Sequence, residues 1–142
     1  MKVAGLIVAL IASAAPAQPA VTAFELNRSA PLAVGAWQYI AQPGGSEARF
    51  GLRFQLRCDL AARRVLVRRI DPVVAVSSAP LAISTDTMSR AVARDGWLMA
   101  SDPLLAAIAF TRGRFVVDGG GGERLILPSS PEAARSIEDC RN

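Results

Sequence analysis

From Ala48 to Cys58 the chain alternates between apolar and polar positions. Ala48, Phe50, Leu52, Phe54, Leu56 and Cys58 fall on one side; Arg49, Gly51, Arg53, Gln55 and Arg57 fall on the other. A period of two belongs to a pleated strand with one buried face. The pattern therefore predicts a single antiparallel strand over 48–58 with Cys58 pointing inward. Burying its two phenylalanines and two leucines would contribute about 1.5 to 3 kcal/mol each.

The same reading extends along the chain. Residues 32–41, with Trp37, Tyr39 and Ile40, predict a first strand, and Pro43-Gly44-Gly45 a turn after it. A turn at Leu60–Ala62 returns a strand over 63–70. Short strands are expected at 73–76, 80–84 and 97–100. Asp102-Pro103 predicts a helix to about Phe110, because Asp is a good N-cap and Pro suits the first helical position. Residues 114–118 and 123–127 predict a hairpin around Gly119–Gly122. A last helix starts at Ser129 or Ser130, with Glu132 or Pro131 completing the signal. It places Ala133, Ala134, Ile137 and Cys140 on one face.

The N-terminal pattern is different. Lys2 precedes ten uncharged, mostly apolar residues, and then come Ala12-Ser13-Ala14 and Ala15-Pro16-Ala17. This is the order of a cleavable secretory signal, too short to span a bilayer at about 20 residues. We read residues 1–17 as the signal peptide, with cleavage after Ala17 favoured, 18–31 as a leader, and 32–142 as a single domain. No later stretch predicts a transmembrane segment. The expected location is periplasmic or secreted. There two thiols usually pair, so Cys58 and Cys140 are expected to form a disulfide closing a long loop.

Composition narrows the chemistry. The chain has 16 basic residues, 12 acids and no histidine. The absence of histidine removes Ser-His-Asp and Cys-His hydrolases, the common zinc sites and histidine-ligated haem. No cofactor or metal is expected, and no catalytic residue is assigned. Asp59, Asp71, Asp86, Asp95 and Asp102 stand where Asp favours turns or helix starts. The glycines at 119–122 are followed by strand-like residues, which favours a hairpin over a phosphate loop. Trp37, Tyr39 and Trp97 read as core residues rather than as an exposed platform.

Without Lys2 every basic residue is an arginine. A turn at Leu60–Ala62 would set Arg57 opposite Arg64 and Arg53 opposite Arg68, and with Arg49 these line the outward face. Opposed like charges are destabilising, so either carboxylates interleave or an anionic partner neutralises them. Arg49, Arg53, Arg57, Arg64 and Arg68 are the candidate anion-binding face, for an envelope protein or an anionic lipid or phosphate surface. Nucleic acid is not expected, since aromatic interleaving is sparse.

Two segments carry a family resemblance. Asp102–Gly113 leads to Phe115-Val116-Val117, and Leu125-Ile126-Leu127-Pro128-Ser129-Ser130 leads into the last helix. With Trp37 in the first strand, this order resembles the invasion-associated locus B family of bacterial exported proteins. Tyr39-Ile40-Ala41 lacks the cysteine that family often has after its tryptophan, and Ser130–Ala134 lacks its Gly-Phe pair. The resemblance implies a periplasmic β-rich domain with an envelope or host-associated role, and maps no active-site residue.

The expected fold is α+β, mostly β: a single antiparallel sandwich or open barrel of six to eight strands with two short helices. The expected function is that of an exported, non-enzymatic envelope protein binding a protein or an anionic surface component. A small-ligand carrier or inhibitor using a barrel interior, and an enzyme of unrecognised type, are the alternatives.

Overall fold

The computed structural model of the chain describes residues 14–71 and 80–142. The signal reading falls largely outside these residues, and the strand expected at 73–76 lies wholly outside them. Two antiparallel sheets pack face to face as an open sandwich. The larger has the order β1-β2-β3-β4-β7, from Trp37–Gln42, Gly45–Phe50, Phe54–Asp59, Arg64–Arg69 and Trp97–Met99. The smaller has the order β6-β5-β8-β9, from Ser89–Ala91, Leu81–Ser84, Arg114–Gly119 and Leu125–Pro128. Three helices complete the described residues: α1 (Ala23–Leu26), α2 (Pro103–Phe110) and α3 (Pro131–Asp139).

The run 48–58 corrects one expectation. It is a hairpin, and Phe50 pairs directly with Phe54. Gly51 takes φ +51 and the Arg53 amide donates to the Phe50 carbonyl, which closes a three-residue loop. An odd loop preserves parity, so Ala48, Phe50, Phe54, Leu56 and Cys58 still share the buried face. Leu52 sits at the tip, 65% exposed. Two strands of ordinary length bury their phenylalanines over one core, which a single strand of eleven residues, about 37 Å long, would not.

Between the sheets Trp37, Phe50, Phe54 and Phe115 form an aromatic cluster with ring centroids 5.5 to 6.2 Å apart. Ile83, Val117, Leu125 and Leu127 fill the rest of the interior from the smaller sheet. Both predicted helices form. Asp102 caps α2 by accepting from the Leu104 amide at 2.8 Å. Ser130, not Ser129, caps α3 by accepting from the Ala133 amide.

Helix α3 lies on the inner side of β1, β2 and β3. The disulfide Cys58–Cys140 fastens it there, with the two Cα atoms 5.4 Å apart. Ser136, fully buried, hydrogen-bonds Ser46 beside the bridge. Ala134 is only half-buried, so the apolar stripe of α3 is narrower than the sequence predicts.

Two elements had no sequence expectation. Strand β6 extends the smaller sheet by three residues. Helix α1 lies in the stretch read as a leader: Thr22 caps it, and Phe24 is buried on the outer side of the smaller sheet with its amide donating to Ser84 Oγ at 2.9 Å. Arg114 reaches this segment through the carbonyls of Asn27 and Ala30. These contacts cover the buried Val116 and Ser84, which point away from the main core.

Candidate anion-binding face

The outer side of the larger sheet is built from alternate residues of β2, β3, β4 and β7. Its pairing corrects the expected arginine register. Asp59 faces Arg64, Arg57 faces Leu66 and Gln55 faces Arg68. The cause is a turn of four residues, 60–63. Asp59 Oδ1 accepts from the Ala62 amide, the Arg63 amide donates to Leu60, and Arg63 takes a left-handed φ of 47°. The slip is two residues, so each side chain keeps its face and only its partner changes. No arginine of β3 is directly opposed to an arginine of β4. Arg53 lies in the β2–β3 loop with Nε 3.5 Å from Asp71 Oδ1.

Carboxylates and amides interleave between the arginines. Glu47 faces outward yet is 2% exposed, because Arg49 and Gln42 close over its two carboxylate oxygens. Gln55 is equally covered and accepts from Arg68 Nε at 2.5 Å. Arg64 Nε lies 3.5 Å from Asp59 Oδ2, without the alignment of a hydrogen bond.

Trp97, read from the sequence as core, stands on this outer face as the strand partner of Leu66. The guanidinium carbon of Arg64 lies 4.1 Å from its ring centroid, and that of Arg57 lies 5.6 Å away. A guanidinium over an indole is held by the ring quadrupole and still presents its N–H edges to a ligand. The register sets this, because Leu98 pairs with inward-facing Val65 and its neighbour Trp97 therefore faces out, whereas the uniformly apolar run Trp97-Leu98-Met99 carries no alternation that would show it. Trp37 is in the core cluster, and its indole N–H donates to the Pro128 carbonyl. Tyr39 lies under α3, with its hydroxyl 2.7 Å from Asp139.

Among the described residues, Arg57 and Arg68 make no ion pair: Glu47 is the strand partner of Arg57 but its carboxylate is taken by Arg49 and Gln42, whereas Arg49, Arg53 and Arg64 each have a carboxylate within 3.5 Å. Arg49, Arg57, Arg64 and Arg68 against Glu47 and Asp59 leave four positive and two negative charges, or +2, on the strands of this face. At the β7 edge Met99, 60% exposed, is the strand partner of Arg64 and lines an open cleft of about 480 Å3 with Arg63, Ala100, Ser101 and Arg141. The two arginines of the cleft are engaged: Arg63 donates to the Arg141 carbonyl and Arg141 to the Ala100 carbonyl.

The carboxylates do not converge. Asp102 caps α2 and pairs with Arg90, Asp95 accepts from the Trp97 amide, and Asp71 pairs with Arg69. No cluster of three metal-ligating side chains occurs among the described residues. Gly119 ends β8 and Gly120–Gly122 lie in the β8–β9 turn, which leads into a strand. No described helix is long and apolar enough to cross a membrane. Comparison with protein families, characterised proteins and solved structures finds no match for this chain.

Proposed function

We propose that the chain is an exported, non-enzymatic envelope protein that binds an anionic surface component, a phosphate-bearing lipid surface or an acidic protein, through the outer face of its larger sheet. The observation that carries this reading is that Arg57 and Arg68 make no ion pair among the described residues, Glu47 opposite Arg57 being held by Arg49 and Gln42, whereas Arg49, Arg53 and Arg64 each have a carboxylate within 3.5 Å. Trp97 adds a flat apolar surface between guanidinium groups, suited to a ligand that is anionic at one end and apolar at the other. Export is supported by the N-terminal pattern and by the disulfide, which persists in oxidising compartments. The resemblance to the invasion-associated locus B family supports an envelope role and assigns no residue. A carrier role draws little support from an interior filled by Phe50, Phe54, Phe115 and Leu127. An enzymatic role draws little from carboxylates committed to caps and ion pairs.

The test is co-sedimentation of the mature protein with phosphatidylglycerol vesicles, with phosphatidylcholine vesicles as control, across a salt series. A pull-down from envelope extract runs in parallel. Binding should occur at low salt and fall as salt rises. The double variants Arg53→Glu/Arg57→Glu and Arg57→Glu/Arg68→Glu should lose it. A wild-type protein that binds neither the anionic vesicles nor any extract protein in an Arg57-dependent way sinks the proposal.

A further inference from the structure

The two sheets have four outer edges, and they are not treated alike. At β7 the Trp97 amide is satisfied by Asp95 Oδ1 and the Met99 carbonyl by the Asp102 amide. At β9 the Ile126 carbonyl accepts from the Ala33 amide and the Pro128 carbonyl from the Trp37 indole, and Pro128 has no N–H to offer. Strand β6 is three residues long and carries Arg90. These are the usual ways of blunting an edge: local capping, proline, coverage, short length and charge.

Strand β1 has none of them. It runs for six residues, Trp-Gln-Tyr-Ile-Ala-Gln, without a charge or a proline. The Gly51 amide donates to the Ala36 carbonyl, which fixes the phase of the ladder. Gln38, Ile40 and Gln42 therefore turn their backbone groups towards β2, and Trp37, Tyr39 and Ala41 turn theirs to the free edge. No backbone or side-chain partner for those groups occurs among the described residues.

We infer that β1 is a pairing edge whose occupant is β1 of a second copy of this chain. The free backbone groups are symmetric about Tyr39. An antiparallel pair centred there sets Trp37 opposite Ala41 of the second copy and Tyr39 opposite its own counterpart, which uses every outward N–H and C=O of the three residues in one ten-stranded sheet. An uncharged strand meets its copy without like-charge repulsion. On the inner side Arg135 lies 4.0 Å from the Tyr39 ring centroid and Asp139 accepts from its hydroxyl, so each copy would bring both a cation and an anion of α3 to the axis. The arginine face stays open in this arrangement. The inference is independent of what that face binds.

Sedimentation velocity of the mature, oxidised protein over a concentration series tests the inference. Dimerisation is expected. Ala41→Pro removes an edge N–H while leaving the β1–β2 bonds intact, and should weaken dimerisation about tenfold to a hundredfold without altering the near-ultraviolet circular dichroism. If Ala41→Pro fails to fold, Ile40→Lys, which sets a charge beside the proposed seam, is read in the same way. A monomeric wild type overturns the inference, whether or not it pairs β1 with another protein's strand. So does a folded variant that dimerises as the wild type does.

Discussion

Arg69 Nη1 donates to the Gly119 carbonyl at 3.2 Å, and so ties the last residue of β4 to the last residue of β8 across the two sheets. The same guanidinium reaches the Glu123 carbonyl and holds Asp71 Oδ2 at 2.6 Å, with its side chain only 5% exposed. Replacing it with methionine would keep the stem, leave Asp71 with only the longer Arg53 contact and leave two carbonyls without their donor. We expect Arg69→Met to cost about 3 kcal/mol of stability by urea denaturation, with Arg69→Lys recovering only part of it.

Gly119 itself is constrained. It has φ +78, and a Cβ placed there would press into the Pro80 carbonyl oxygen. Gly119→Ala should therefore destabilise by at least about 2 kcal/mol. Gly113, with a similar φ of +76 but open space around it, should suffer only the backbone strain when changed to alanine. Paired thermal midpoints would separate strain from collision.

The Cys58–Cys140 bridge closes a sequence separation of 82 residues. Its removal by the double change to alanine should cost about 2 to 5 kcal/mol. Reduction of the native protein should also loosen α3 first, since the bridge is the one covalent tie among the contacts that hold its last turns, which include the Ser46–Ser136 and Tyr39–Asp139 hydrogen bonds. Amide exchange under reducing conditions should rise in residues 131–140 before it rises in β8.

Phe24 should behave as a core residue although it precedes both sheets. Phe24→Ala uncovers Val116 and Ser84 and is expected to cost about 2 to 3 kcal/mol, with protection lost in β5 and β8. An unchanged denaturation midpoint would show the segment to be a leader after all.

Of the two tryptophans, Trp97 alone lies under arginines on the outer face. In a Trp37→Phe background, binding of anionic vesicles should shift the Trp97 emission, and raising the salt should reverse the shift. A signal insensitive to vesicles that do bind would place the contact elsewhere.

Much of the architecture is written locally. The alternation of 48–58, the Asp102-Pro103 and Ser130-Pro131 starts and the glycines of 119–122 name strands, helix starts and a hairpin, because strand faces, caps and tight turns depend on a few adjacent residues. The break at Gly51 was hidden by its own regularity: an odd loop leaves the buried face in phase, so the alternation continues straight through a reversal of the chain. Strand β6 and helix α1 were invisible because their amphipathic runs are too short to show a period.

Sequence alone determined which side of the 48–58 run is apolar, where α2 begins, where α3 begins to within a residue, and that both cysteines point inward. Tertiary structure decided who stands opposite whom. A left-handed Arg63 in a four-residue turn moved the β3–β4 register by two, set Asp59 and Gln55 against Arg64 and Arg68, and left Arg57 facing Leu66 on that side. Register depends on turn geometry and on contacts between residues far apart in sequence, whereas side-chain parity survives a shift of two. Composition can therefore announce a cationic sheet face, but only the folded pairing shows which of its charges are already answered.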